Sequence, residues 1–387
     1  MASACLKKGR QTQAAIRPFL GCLDIPLCIR RQILCSVMLS RLLYGAEIYG
    51  MNKSLTRHFQ QLLDESLKIM LGVSPKMPVS KLVLWEEFGI PPIAALAASR
   101  RARVFQKAQN LRTKITTLIQ SPYRSLQWTW ISGTMRWLRT QIGRHRRRAG
   151  MPHLVFDDDG WERLPPKQMA QSLIQLVWAR EKVLKANVNP TFTKYVGSAF
   201  VKNRLTSMTT GSVPMLNQGL SLIVRARAGA IWWAFKLALT RKIHARYRTA
   251  CPCCGASEPE NLDHVMLRCA KWNDLRVIML EGWMTDSLTR CLDGVENPTD
   301  TIKTILLLGG EHNGRSIRRW PFHWRLEPNA GENPPPGAPE CGCLRVAAYL
   351  ATVIPARAAI IRALRTPVGA AGRADVTNSS ESQSSDE

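Results

Sequence analysis

The sequence predicts a mainly α protein, and three observations indicate this fold class. Apolar residues recur at helical spacing in stretches at 14–72, 167–187, 220–237 and 344–364. Proline and glycine stand where helices are expected to begin and end, as Pro26 and Gly72 do. The chain has 387 residues, of which 45% are hydrophobic, so it can form two or three domains with substantial cores.

The first helices are expected between residues 14 and 72. Residues 17–19 open this segment, and Pro26 begins a second helix. The apolar positions are Ile33, Val37, Leu42 and Leu43 before a break at Tyr44 and Gly45, and Leu55, Phe59, Leu62, Leu63, Leu67 and Met70 after it. Gly72 is expected to cap the last of these helices.

Residues 99–148 carry 13 Lys or Arg and no Asp or Glu. Because cations suit phosphate oxygens and tryptophan can stack on unpaired bases, this segment predicts a nucleic-acid track. The assigned contacts are Arg100, Arg101, Arg103, Lys107, Arg136, Arg139, Arg144, Arg146, Arg147, Arg148, Trp128, Trp130 and Trp137. Core packing is the alternative for each tryptophan, and a solvated loop or nuclear-import patch is the alternative for residues 144–148.

A helix is next expected at 167–187, with Leu173, Leu176, Val177 and Leu184 as its apolar stripe. A loop rich in Thr, Gly and Ser crosses 191–213, and helical spacing resumes at 220–237. The chain then becomes basic again, and Arg225, Arg241, Lys242, Arg246 and Arg248 are further expected nucleic-acid contacts. For His244 we favour solvent or phosphate contact over metal ligation.

Four residues have the spacing of metal ligands, namely Cys251, Cys254, His264 and Cys269 in a C-x2-C-x9-H-x4-C pattern. Zinc prefers sulfur and imidazole donors in a tetrahedron, and a C-x2-C turn supplies two thiolates. Gly255 suits that turn because glycine tolerates positive φ. The sequence therefore predicts a small knuckle that binds Zn2+, with Arg268 and Lys271 displayed to phosphates.

Two alternatives to this ligand set stay open. Cys253 could replace Cys254 as the second ligand, although we favour Cys251 with Cys254. The four residues could also be incidental in a chain with 11 cysteines.

The remaining chain is expected to hold a short helix at 301–310, a Pro- and Gly-rich linker at 329–343, and a last helix at 344–366 interrupted at Pro355. Residues 367–387 are small, Ser-rich and acidic at the end, which predicts disorder. Cys341 and Cys343 could bind metal only with partners that the nearby sequence does not offer.

Charge indicates the class of partner. Lys and Arg number 54 against 28 Asp and Glu, which gives a formal net charge of +26. Such a field favours a polyanion, nucleic acid before membrane. No secretory signal is readable and no uncharged apolar run reaches the roughly 18 residues of a membrane span, so we expect reduced cysteines and a nuclear or cytoplasmic location.

Several motifs resemble non-LTR retrotransposon reverse transcriptases, in the region after the catalytic palm. They are RLLYGAEIYG at 41–50, LLD at 62–64, LG at 71–72, LWEEFGIPPI at 84–93, RARAGA at 225–230 and the Cys/His pattern at 251–269. The resemblance implies a thumb whose helices grip the template and primer duplex, followed by a CCHC zinc knuckle. It covers about residues 14–364.

The palm of that family is missing, since only about 16 residues precede the thumb-like region. Asp157, Asp158 and Asp159 lack the strand that follows the family's catalytic aspartates, so we interpret them as an acidic turn. The predicted segments are a thumb-like domain (14–98), a basic track (99–150), a helical linker domain (151–250), the knuckle (251–276), a helical extension (277–328), a linker (329–343), a C-terminal helix (344–366) and a disordered tail (367–387).

The sequence thus favours a nucleic-acid-binding module that holds element RNA or target DNA in target-primed reverse transcription, without polymerase activity of its own. One alternative is an RNA-directed DNA polymerase or nuclease whose site is unrecognised. Another is a zinc-stabilised protein-interaction scaffold.

Overall fold

The computed structural model describes residues 2–110, 113, 117, 129–146, 165–186, 188–200, 214–317 and 342–365. This part of the chain is mainly α, as the sequence predicts, and the sheet found in it has two strands. Strands β1 (Glu311–His312) and β2 (Arg315–Ser316) pair antiparallel. The predicted linker, up to residue 341, and the predicted tail from residue 367 lie outside the described residues.

The helices before residue 111 are α1 (Ala2–Gly21), α2 (Leu27–Ile33), α3 (Ser40–Leu42), α4 (Ala46–Tyr49), α5 (Lys53–Met70), α6 (Lys81–Phe88) and α7 (Ile93–Asn110). A π-helical turn, Leu34–Leu39, joins α2 to α3. Asn52 caps α5 because its side chain accepts hydrogen bonds from two amides of the first turn. Gly45 and Gly72 both adopt positive φ, which confirms the predicted break and cap.

The later helices are α8 (Trp130–Arg146), α9 (Pro166–Ala186), α10 (Pro190–Gly197), α11 (Pro214–Arg227), α12 (Ala234–Leu239), α13 (Asn273–Arg276), α14 (Gly282–Leu292), α15 (Asp300–Leu307) and α16 (Gly342–Ala363). Short 3₁₀ or π turns occur at Ala245–Arg248, His264–Arg268, Ala270–Trp272 and Val277–Glu281. The helices predicted at 167–187 and 301–310 are confirmed in α9 and α15.

Four local predictions are wrong. The helical stretch predicted at 220–237 is interrupted, because α11 ends at Arg227 and α12 begins at Ala234, with Gly229 at positive φ between them. Helix α1 begins at Ala2 and includes Pro18, so residues 17–19 do not open the segment. Helix α10 begins at Pro190 and covers the first seven residues of the stretch predicted as a loop at 191–213. Helix α16 runs through Pro355 without interruption. Burial explains the continuity of α16, because Val353 and Ile354, just before the proline, are packed in the core and outweigh one lost backbone hydrogen bond.

The chain divides into two compact units. Among the described residues, one unit contains those up to Ile231 together with those from Trp283 to Ala351, and the other contains Trp232–Gly282 together with residues 352–365. The predicted knuckle and the end of the last helix therefore belong to one unit. Side chains distant in sequence hold that unit together, as described below.

In the larger unit, α7 is the central helix and packs against α4, α5, α8 and α9. A buried ion pair joins Glu87 of α6 to Arg227 of α11, with Nη1 of the arginine 2.9 Å from one carboxylate oxygen. The hydroxyl of Tyr195 donates to the same oxygen at 2.9 Å. Burial and the charge of Glu87 raise the pKa of Tyr195, so the phenol stays protonated and keeps donating.

In the smaller unit, α12 and the turn Ala245–Arg248 pack against the end of α16. The buried residues of this core are Ala234, Leu237, Ala238, Ile243, Tyr247 and Ile361.

Helix α16 is long and apolar enough to cross a membrane by composition. Half of its most apolar window is buried in the protein, however, and the core helices of soluble proteins meet the same criterion.

Candidate metal centre and basic surfaces

The structure brings Cys251, Cys254, His264 and Cys269 together, with their ligating atoms all within 4.8 Å of one another. A tight turn presents the first two, because the amide of Gly255 donates to the Cys251 carbonyl at 2.9 Å. Gly255 has a φ of +76°, which confirms the predicted need for glycine. His264 begins the turn His264–Arg268, and Cys269 directly follows that turn.

The geometry separates Cys253 from Cys254. The sulfur of Cys254 lies 3.4 Å from Nε2 of His264. The sulfur of Cys253 instead lies 3.5 Å from Oε1 of Glu260, and its amide donates to the Cys251 sulfur. Cys251, Cys253 and Glu260 form a second possible group, but Glu260 is already bound by other side chains. We therefore assign Cys254 to the four-residue cluster.

A carboxylate completes the surroundings of the histidine. Nδ1 of His264 donates to Oε1 of Glu258 at 2.5 Å, and Nε of Arg268 donates to Oε2 at 2.9 Å. Metal-binding histidines commonly donate their second ring nitrogen to such an acceptor. The arrangement leaves Nε2 directed at the sulfurs.

Hydrogen bonds within the cluster separate the pKa values of its groups. Contacts with the thiols of Cys253 and Cys269 lower the pKa of Cys251 strongly. The same contacts, together with burial, raise the pKa values of those two thiols. Burial lowers the pKa of His264, but hydrogen bonds, first to Cys251, raise it to about 9. A metal ion bound here would displace protons, since its ligands bind in deprotonated form.

The donor set fits a thiophilic divalent metal. Three sulfurs and one imidazole nitrogen are a known tetrahedral zinc set, and three of the four side chains are buried. The fold and the site therefore define a mainly α protein with a Cys3His cluster that could hold a metal ion and is compatible with zinc.

Glu260 links this cluster to the rest of its unit. Its buried carboxylate accepts two hydrogen bonds from Arg357 of α16, at 2.7 and 2.6 Å, and one from the amide of Ala234 at the start of α12. Arg357 also donates to the Trp232 carbonyl and covers the ring of Trp233. Helix α16 and the segment that follows the cysteine turn thus share one buried ion pair.

The predicted contacts next to the cluster are mostly at the surface. Arg241, Lys242, Arg246, Arg248 and Lys271 are exposed. Arg268 is also exposed but is paired with Glu258. The ammonium of Lys242 lies 4.0 Å from the ring centroid of Trp232. His244 accepts a hydrogen bond from the amide of Arg246 and caps a 3₁₀ turn, and it is outside the metal cluster. Arg225 is half-buried, and burial lowers its pKa.

Two residues of the predicted track at 99–150, Arg101 and Trp130, make contacts within the protein. Arg101 donates from Nε to Thr134 and from its terminal nitrogens to the carbonyls of Ile48, Gly50 and Trp130. The ring nitrogen of Trp130 donates to the Glu47 carbonyl. These groups join α4, α7 and α8, because a guanidinium can satisfy several helix-end carbonyls at once.

Other track residues differ in exposure. Trp137 is half-buried against two hydrophobic clusters, which agrees with the core-packing alternative. Arg100 donates to the Leu43 carbonyl from an exposed position. Arg103, Lys107, Arg136 and Arg139 are exposed on α7 and α8.

Several predicted residues lie outside the described part of the chain. They are Trp128, Arg147, Arg148, Asp157, Asp158, Asp159 and Cys341, together with the side chains of Arg144 and Arg146. Cys343 is described and is buried at the start of α16.

Sequence reasoning missed Glu258, Glu260 and Arg357. The sequence position of Glu258 could have identified it as a partner of His264, because a carboxylate six residues before a ligand histidine can reach its ring. The sequence does not identify the role of Glu260, because its partner Arg357 lies 97 residues further along the chain.

Comparison with protein-family models, curated proteins and solved structures found no match. The chemistry of the cluster and the distribution of charge are therefore the basis for assigning a function.

Proposed function

We propose that this protein binds nucleic acid through basic surfaces, one of them on a unit stabilised by zinc. The observation that carries the proposal is the exposed basic turn, residues 241–248, which precedes the Cys3His cluster and belongs to the same compact unit. Four exposed cations stand in this turn with no acidic residue between them. A metal at the cluster would fix the position of the chain just after these cations.

The charge distribution favours a polyanion. The whole chain has a net charge of +26, and neutralising phosphates with such residues releases counterions. A second set of exposed cations, Arg103, Lys107, Arg136 and Arg139, lies on the larger unit. Either set offers contacts to a sugar–phosphate backbone.

Contact with the backbone is favoured over base stacking. Every tryptophan within the described ranges is at least partly buried, and Lys242 already covers the ring of Trp232. Tyr247 is buried under the guanidinium of Arg246. Binding through these two sets of cations therefore depends on charge, and little sequence preference is expected.

We propose further that the chain corresponds to the C-terminal part of a non-LTR retrotransposon reverse transcriptase. The motifs at 41–50, 84–93 and 251–269 support this relationship. In that role it would hold element RNA or target DNA in the nucleus or cytoplasm, and the polymerase chemistry would reside elsewhere, because the family's catalytic aspartates are not recognisable in this chain.

A binding titration with matched charge variants tests the proposal. One variant changes Arg241, Lys242, Arg246 and Arg248 to Gln, and the control changes Arg103, Lys107, Arg136 and Arg139 to Gln. RNA and duplex DNA are titrated at several salt concentrations, and bound zinc is quantified by mass. We expect a steep salt dependence for the wild type, and a log–log slope shallower by up to about 3 to 4 on duplex DNA for the first variant.

The control identifies the surface that is used. An equal loss in both variants would mean that the two surfaces contribute equally, and a loss only in the control would place binding on α7 and α8. A flat salt dependence in the wild type would contradict nucleic-acid binding and favour a protein-interaction scaffold.

A further inference from the structure

We propose that Glu258 is a positioning residue of the metal centre, which holds His264 in the tautomer that offers Nε2 to the metal. This inference rests on the proposed metal binding by the Cys3His cluster. It adds a residue from outside the four ligands.

The contacts of His264 support this role. Its side chain is 1% exposed, so the Glu258 carboxylate occupies the place where water would otherwise meet Nδ1. Nδ1 lies 2.5 Å from Oε1 of Glu258, and because a carboxylate can only accept a hydrogen bond, this contact places the proton on Nδ1, while Nε2 lies 3.4 Å from the Cys254 sulfur. A neutral imidazole has one N–H donor and one lone pair, so a donor at Nδ1 leaves the lone pair at Nε2.

Glu258 is itself held in place. Its second oxygen accepts from Nε of Arg268 at 2.9 Å, so the two oxygens have different partners. Arg268 directly precedes the ligand Cys269, and its side chain is 42% exposed. Arg268 therefore orients the carboxylate from the protein surface, in addition to its predicted role as a phosphate contact.

The neighbouring carboxylate Glu260 does not fill the same role. Its oxygens accept from Arg357 and Ala234, and the Cys253 thiol faces it at 3.5 Å. Glu260 thus stabilises the smaller unit through Arg357, whereas Glu258 contacts His264. The two acidic residues on either side of Pro259 have separate tasks.

Zinc affinity measured by competition with a chromophoric chelator tests this role in the full-length chain. The variants are Glu258→Ala, Glu258→Gln, and Asp274→Ala as a matched loss of an exposed carboxylate from the same unit. We expect Glu258→Ala to bind zinc about 10- to 100-fold more weakly. Glu258→Gln keeps an acceptor oxygen and should lose less, and Asp274→Ala should match the wild type.

Nitrogen-15 NMR of the histidine rings provides a readout that a loss of stability would not mimic. In the zinc-loaded wild type we expect His264 to carry its proton on Nδ1. A proton on Nε2, or an affinity of Glu258→Ala within about twofold of the wild type, would overturn the assignment. If the wild type binds no zinc, the metal centre fails as well, which separates that result from a failure of the Glu258 role alone.

Discussion

Arg30 is a fully buried cation whose identified partners are oxygen atoms of neutral groups. Its guanidinium donates to the carbonyls of Ile25, Leu20 and Met70 and to the hydroxyl of Ser221. Burial lowers its pKa to about 10, so the group remains charged at neutral pH. One side chain thereby joins α2 to the ends of α1 and α5 and to α11.

Replacing this arginine tests its structural role. Arg30→Met should lower the free energy of unfolding by about 2 to 4 kcal/mol, because it leaves several buried carbonyls without donors. Urea denaturation followed by circular dichroism measures the change. Arg17→Met, on the exposed face of α1, is the control and should be close to neutral. Similar midpoints for the two variants would contradict the role of Arg30.

The positions of the cysteines at the cluster depend on neighbours in the sequence and on contacts with distant segments. The C-x2-C turn needs only Gly255 and nearby amides, so its geometry follows from local sequence. The choice between Cys253 and Cys254 depends on Glu260, whose position is fixed by a distant arginine. For that reason the sequence left both cysteines as alternatives.

At the scale of elements, α16 changes its role along its length. Its first turns belong to the larger unit, and its end from Thr352 belongs to the unit with the cysteines. The Glu260–Arg357 pair fastens that end to the start of α12. The last helix is thus part of the candidate metal unit.

Breaking this pair should destabilise the smaller unit selectively. Arg357→Met leaves a buried carboxylate without its counter-ion, which typically costs about 3 to 5 kcal/mol. Hydrogen exchange should become faster at 232–248 and 352–365. Arg362→Met, on the exposed side of the same helix, is the matched control. Unchanged exchange in Arg357→Met would show that the pair does not hold the helix.

Across the whole molecule, the two units imply separate responses to metal removal. The cluster lies within Trp232–Gly282, whereas α7 and α9 pack in the larger unit. Binding free energy of a structural zinc contributes to the folding of the unit that contains it. A metal bound at the cluster would therefore stabilise the smaller unit.

Chelation followed by hydrogen exchange tests this separation in the full-length chain. After removal of metal, exchange should rise at 232–282 and 352–365 and stay unchanged in α7 and α9. The reason is that a metal at the cluster would restrain four points of the smaller unit, while the buried contacts of α7 and α9 would not involve it. A uniform rise across both units would contradict independent stabilisation, and no rise anywhere would argue against a structural metal.

The sequence by itself determined the mainly α class and the spacing of the four candidate ligands. It also determined the helix break at Gly45, the helix cap at Gly72 and the tight turn at Gly255. These features depend on neighbours within a few residues, where backbone conformation and helical period are decisive. It did not determine that α16 continues through Pro355, because the burial that outweighs the proline comes from other segments.

Only the tertiary structure decided which charged and aromatic side chains form their hydrogen bonds within the protein. Arg101 and Trp130 carry the composition of a nucleic-acid track, yet their donors are used by carbonyls of α4 and α8. Glu87 and Arg227 neutralise each other across 140 residues. The sequence shows which groups can form hydrogen bonds, whereas the folded structure decides which groups become their partners. The reason is that a buried polar group must bond to whatever partner the packing brings next to it.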